Sequence, residues 1–205
     1  MVLKKTLFAN NVQREDVVDK RQKWEATQHK LDIDCLVFVD ESSVNCGMTR
    51  LYGRALKKAR LYDYVPDVRF ERTSVISSIR LNGDQAPLMF KGTLNGDVFK
   101  IYVREVLAPT LKPGDIVVID NFSAHKVLEA LDPIYQKSAS VLFLPPYSPD
   151  YNPIKLCWSK LKSVIRKYKP RSIDDLLEVM RTALDEVTNS DILGWFKHCE
   201  YRAYE

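Results

Sequence analysis

No apolar run in the 205-residue sequence approaches the ~20 residues needed to span a bilayer, which excludes a transmembrane helix. The opening MVLKKTLFANNVQRED has no long apolar core and turns polar at once, so it does not read as a secretory leader. Glycine and proline are scarce, at seven and ten, too few for a fibrous or low-complexity chain. Cysteine is scarce too: Cys35, Cys46, Cys157 and Cys199 form no CxxC pair. The three histidines, His29, His125 and His198, do not cluster with them as zinc ligands would. Four reduced thiols in a cytoplasm are the expectation.

What is present is ordinary for a globular domain: 45% hydrophobic and 28% charged residues, enough apolar content to exclude a disordered tail. The net charge of +4 permits a nucleic-acid partner without demanding one. The first thirty residues are polar and helix-compatible, with Val17, Val18 and Trp24 as anchors. They read as an N-terminal helical arm, too short and too poorly patterned for a complete helix-turn-helix. Without an internal repeat or linker, residues 1–205 read as one domain.

Beyond the arm the pattern becomes that of an α/β protein. Cys35–Val39, Ile116–Ile119 and Val141–Leu144 are short unbroken apolar runs, as in parallel strands buried on both faces. Weaker strands are expected at Leu51–Leu56, Thr73–Leu81 and Pro87–Phe90, the last two separated by the hairpin dipeptide Asn82-Gly83. An antiparallel meander therefore extends one side of a sheet whose other side is parallel. Helices are expected at Asp97–Ala108, Lys126–Lys137, Pro153–Tyr168, after a capping box at Ser172/Asp175, and from Asp191 to about Tyr201.

Asp40 and Asp120 each close a buried run, and ligand sites of open α/β sheets gather at the carboxyl ends of strands. On neighbouring parallel strands the two carboxylates would lie side by side and repel unless a cation intervened; hard divalent ions meet that need. An Asp after a strand also starts turns and caps helices, so the position alone leaves both roles open.

Three stretches narrow the choice: FVDES at 38–42, VVIDNFSAH at 117–125 and LFLPPYSPDYNPIKLCWSKLK at 142–162. Together they resemble the DDE superfamily endonucleases, and more narrowly the catalytic domain of mariner-type and bacterial insertion-sequence transposases. The resemblance covers about residues 34–170. It implies a ribonuclease-H-like mixed sheet flanked by helices, Mg²⁺ or Mn²⁺ as cofactor, and DNA cleavage and strand transfer at transposon ends. Asp40 and Asp120 match the family's first two metal-binding acids. The implied partner is double-stranded DNA, as transposon ends and target. A homodimer, a separate N-terminal DNA-binding segment, no membrane and the bacterial cytosol follow as further expectations.

The sequence departs from the family at one point. The third acid, usually Glu, follows Asn-Pro-Ile, and here that residue is Lys155. The 34 residues between Asp120 and Lys155 match the spacing of the insertion-sequence branch, so the alignment is not in question. A protonated ammonium has no lone pair and cannot ligate a metal. The family's site is thus expected with its third position impaired; the alternative is an inactive DNA-binding remnant or repurposed domain. Two further roles for nearby residues stay open. Asp150 either replaces the missing acid or serves its Pro-flanked turn, and Lys155 either faces solvent or pairs with Asp40 and Asp120.

At about 100° per residue, Lys155, Lys162, Arg166 and Lys169 fall within about 60° of one another. That basic stripe suits phosphate contact or a plain solvated face. Asn121 and His125 either support the site from behind or cap the following helix, and the phase of Trp158 favours core packing.

Overall fold

The computed structural model describes residues 10–56, 60–67, 70–120 and 128–201. Five strands form one mixed sheet in the order β3-β2-β1-β4-β5: β1 (Leu36–Val44), β2 (Thr73–Ile79), β3 (Leu88–Lys91), β4 (Ile116–Ile119) and β5 (Ser140–Phe143). β1, β2 and β3 pair antiparallel, whereas β4 is parallel to both β1 and β5. The expected division into a meander and a parallel half is therefore present. Gly83 takes φ +96 in the turn between β2 and β3, a conformation that residues with a Cβ avoid.

Period-two alternation sorts the sheet's side chains onto two cores. Leu36 and Phe38 of β1 and Val118 of β4 face one core, built with α4 (Ile154–Tyr168), α5 (Ile173–Asp185) and α6 (Asn189–His198). Val37, Val39, Val117 and Ile119 face the other, under α2 (Gly96–Ile101), its π-helical continuation Tyr102–Leu107, and α3 (Leu128–Gln136). The fully buried Phe38 ring meets Phe196 edge-on at 5.4 Å and Tyr201 at 4.9 Å, which fixes the C-terminal segment to the central strand. The arm helix α1 (Glu15–Gln28) buries Val17 and Trp24, while Val18 is exposed.

Several expectations need correction. Leu51–Leu56 forms no strand: Leu51, Tyr52 and Leu56 are more than 80% exposed, with no neighbouring strand for their backbone. β1 does not stop before Asp40. Its parallel pairing with β4 ends at Val39↔Ile119, but its antiparallel pairing with β2 continues from Asp40↔Ser77 to Val44↔Thr73. Asp40 is thus a mid-strand residue at the point where one neighbour ends. The segment after Asn95 starts as an α-helix, widens to π and closes as a 3₁₀ turn at Ala108–Thr110. The Ser172/Asp175 capping box is present, and α6 begins earlier than expected through an equivalent box at Thr188/Asp191. No described helix is long and apolar enough to cross a membrane. All four cysteines are free thiols.

A buried ion pair fastens the end of the sheet away from Asp40. The Arg80 guanidinium, after β2, donates to both oxygens of Asp115, before β4, at 2.9 and 2.6 Å, and to the Thr110 carbonyl at 3.1 Å. The Lys112 backbone N–H adds a fourth bond, to Asp115 Oδ2 at 2.6 Å. Burial pushes the Asp115 carboxyl up, but these donors and the charges of Arg80 and Lys112 hold it below the ordinary range. Asp115→Ala leaves the guanidinium buried without its partner, and a loss of about 3–5 kcal/mol in urea denaturation is expected. The wild-type contribution is complete above the ordinary Asp value of about 3.9 and fades as pH falls below it through the lowered native value. An Asp115→Ala loss that is the same at acid and neutral pH would contradict this account.

Candidate active site

Asp40 and Asp120 each follow a member of the last register pair of β1 and β4, Val39↔Ile119. Two residues on from Phe38 and Val118, they point to the α4 side of the sheet. The charge of Asp120 acts on Asp40, as expected for neighbours.

Asp40 is buried, 2% exposed, and α4 supplies its partners. Lys155 Nζ donates to Oδ1 at 2.7 Å, and Trp158 Nε1 donates to Oδ2 at 2.9 Å. Three residues apart, Lys155 and Trp158 share a helix face, so one turn of α4 serves both oxygens. Of the two roles open to Lys155, the structure therefore has the ion pair, made with Asp40. Trp158 packs in the core and also carries a polar contact, which its periodicity did not reveal. Burial raises the Asp40 carboxyl above its ordinary value, against the charge and hydrogen bond of Lys155; the charge of Asp120 raises it further and the Trp158 bond lowers it.

Lys162 and Arg166 continue from Lys155 along α4 as half-buried neighbours. Burial lowers the Lys162 ammonium, with the charges of Arg166 and Lys155 adding to it and Asp40 opposing. Lys169 leaves the stripe. It is the C-cap, at a left-handed φ of 51, and its ammonium bonds to Asp63. Helical phase stops applying where the helix stops. Asn121 and His125 lie outside the described residues.

The turn that sets the start of α4 is held by α1. Arg21 donates to Ser148 Oγ at 2.8 Å and to both oxygens of Asp150 at 3.0 and 2.6 Å, and its guanidinium lies 4.4 Å from the centre of the Tyr151 ring. The Tyr151 hydroxyl donates to Glu25 of α1. Tyr201 Oη donates to the Tyr151 carbonyl at 2.8 Å. Asp150 is thereby committed to its turn and is not a substitute acid at the site. Glu41 faces the opposite side of the sheet, 3.8 Å from Arg72. Arg21 is a positioning residue that no local pattern marks, because its partners lie about 130 positions away.

An open cleft of about 480 Å³ lies over the site, with Asp120, Lys155 and Asn152 among its lining and Pro145, Pro146 and Tyr147 on its wall. Asn152 is 1% exposed, and both of its amide atoms lack a hydrogen-bond partner among the described residues. No group of three or more His, Cys, Asp or Glu that could hold a metal ion occurs among the described residues. Asp40 and Asp120 are two carboxylates, and an ammonium and an indole N–H already occupy the two oxygens of Asp40. That set does not fit a pair of divalent cations.

The sequence matches the family described as DDE superfamily endonuclease over residues 35–177. Among solved structures, the chain is similar to the Mos1 transposase paired-end complex with left transposon end, with a TM-score of 0.72 and 12% identity, covering 100% of this chain and 68% of that one. It is also similar to the Mos1 mariner paired end complex with Mn, with a TM-score of 0.73, 14% identity and coverages of 98% and 64%. The catalytic domain of Mos1 mariner transposase gives a TM-score of 0.63 at 11% identity, over 97% of this chain and 94% of that domain. These likenesses are of fold, and they bear out the ribonuclease-H-like mixed sheet. The chain spans about two thirds of the longer structures' chains. No curated protein sequence matches it significantly.

Replacing Lys155 by Met leaves Asp40 with Trp158 as its hydrogen-bond donor from α4. A stability loss of about 1–3 kcal/mol at neutral pH is expected, towards the lower end because water already reaches the ammonium. The substitution lifts the Asp40 carboxyl further. A raised acid disfavours the fold only while ionised, so the deficit shrinks as pH falls through the raised value. Urea denaturation at several pH values tests this, and adding Asp40→Asn should recover most of the neutral-pH loss.

Proposed function

We propose, for a chain that belongs to the DDE superfamily endonucleases, that it is the catalytic domain of a mariner-type or insertion-sequence transposase whose DNA cleavage is impaired at Lys155. The observation that carries this reading is the seating of Lys155 Nζ on Asp40 Oδ1 at 2.7 Å, with Asp120 alongside. In this reading Asp40 and Asp120 are the first two acids of the family's site, and Lys155 stands where its third acid belongs. The whole of residues 1–205 forms the domain, with the N-terminal residues as an arm.

The substrate of this reading is double-stranded DNA, as transposon ends and target. The solved complexes of similar fold contain a transposon end in one case and Mn in another. Lys162 and Arg166 offer ammonium and guanidinium donors, respectively, to backbone phosphates, which carry no sequence information. Recognition of particular ends then falls to a DNA-binding segment that this arm does not supply, and two copies working together would join two ends. The free thiols suit a bacterial cytosol.

Mg²⁺ or Mn²⁺ is the cofactor class of this reading, supplying Lewis acidity and a more acidic bound water when held by carboxylates. With Lys155 on Asp40 the described residues do not provide for two such ions. Asp40 and Asp120 nonetheless remain side by side, so the defect is local. The second reading, a DNA-binding domain that no longer cuts, is favoured by the same ion pair, because Asp40 already has a donor on each oxygen.

Lys155→Glu separates the two readings. Mn²⁺-dependent nicking of supercoiled plasmid is expected to rise at least about a hundredfold over the unaltered chain, about 2.7 kcal/mol of restored transition-state stabilisation. Adding Asp120→Asn should abolish the gain. A folded Lys155→Glu protein that binds DNA but nicks no faster would leave the non-cutting reading in its place.

A further inference from the structure

Among the described residues, five charged side chains follow α4 from its head to its last turn: Asp40 and Asp120 beside Lys155 at the head, then Lys162 and Arg166 along the helix. Three cations against two carboxylates leave a formal excess of one positive charge. A carboxylate at position 155 would turn that into an excess of one negative charge. The sign decides how DNA approaches: a net anionic site repels a phosphodiester until a cation is added, and a net cationic one attracts it directly.

The contacts of Lys155 leave room for a phosphate. An ammonium has three N–H donors. One goes to Asp40 Oδ1, and the side chain remains 38% exposed where it lines the open cleft beside Asp120. Asp40 holds the base of the ammonium in place, so the remaining donors face the cleft with less side-chain freedom to lose on binding. Lys162 and Arg166 extend the row by about 10 and 16 Å along the helix axis. Lys169 is excluded, since Asp63 neutralises it.

We propose that Lys155, Lys162 and Arg166 form a metal-independent binding row for the DNA phosphate backbone, in which the Lys155 ammonium supplies beside Asp40 the positive charge that a divalent ion would otherwise bring. The inference rests on reading the site as a DDE site and states how that site meets DNA: the neutralising cation is part of the chain. It assigns Lys155 two partners at once, Asp40 and a phosphate oxygen.

Fluorescence anisotropy of a labelled duplex of arbitrary sequence, with the whole chain, tests this in EDTA and in Mg²⁺. The affinity of the unaltered chain is expected to agree between the two within about twofold, allowing for the ionic strength of the added salt. Lys155→Met should weaken binding severalfold and reduce the slope of log affinity against log salt by about 0.9, the signature of one lost phosphate contact. Lys155→Arg should restore both quantities. Lys155→Glu should bind poorly in EDTA and regain about tenfold or more in Mg²⁺. Circular dichroism and thermal melts establish that each variant is folded.

An unaltered chain that loses about tenfold or more in EDTA overturns the inference. So does a folded Lys155→Met with unchanged affinity and salt slope, because Lys155 would then be a structural ion pair and nothing more. None of these readouts needs cleavage. A Lys155→Glu protein that binds DNA without nicking it sinks the nuclease reading and leaves the phosphate row standing. A nicking Lys155→Glu protein beside an unaltered chain that needs Mg²⁺ to bind does the reverse.

Discussion

The burial of Asp40 beneath α4 is the constraint from which the rest of the site follows. A carboxylate removed from water in mid-strand disfavours the fold unless both oxygens find donors. One turn of α4 provides them, an ammonium from Lys155 and an indole N–H from Trp158. Those contacts fix the rotation of α4 over β1 and bring Lys162 within reach of the Asp40 charge. Trp158 joins two roles, since the same ring fills the core and bonds the carboxylate, so packing and polar placement cannot vary independently.

The start of α4 is set from the other end of the chain. Arg21 grips Ser148, Asp150 and the Tyr151 ring, Glu25 accepts from Tyr151, and Tyr201 bonds the Tyr151 backbone. The Tyr151 ring is buried in the core with α4, and these polar bonds tie the turn around it to α1 and to Tyr201. The N-terminal arm and Tyr201, beyond α6, thus act on the site through the 148–151 turn. The Arg80–Asp115 pair does comparable work at the opposite end of the sheet, joining the exit of β2 to the entry of β4. With both ends held, the carboxyl edge of β4 places Asp120 beside Asp40.

Much of the fold was legible in the residues because it follows from local periodicity. The apolar runs ending at Val39, Ile119 and Leu144, the amphipathic spacing of α4 and the capping box of α5 are each encoded within a few positions. The failures share one cause. β1 runs through Asp40 because its antiparallel neighbour outlasts its parallel one, and strand length there depends on a partner more than thirty residues away. Leu51–Leu56 has strand-like composition but no neighbour to pair with. Lys169 has the right helical phase and the wrong backbone, since the helix ends in a left-handed residue bonded elsewhere.

Residue order alone sets the identities that bound the chemistry: two aspartates after apolar runs, a lysine at the third position, and a basic edge on the helix that bears it. It also determined the α/β class, because hydrophobic periodicity is a property of consecutive residues. What those groups do to one another is set by the packing of α4 against the sheet. Sequence left open whether Lys155 faces water or Asp40, whether Asp150 serves the site or the turn, and whether Trp158 is only core. Each depends on side-chain reach and strand register between segments about 120 residues apart or more in the chain, and contact energies, not local propensities, select among the arrangements such reach allows.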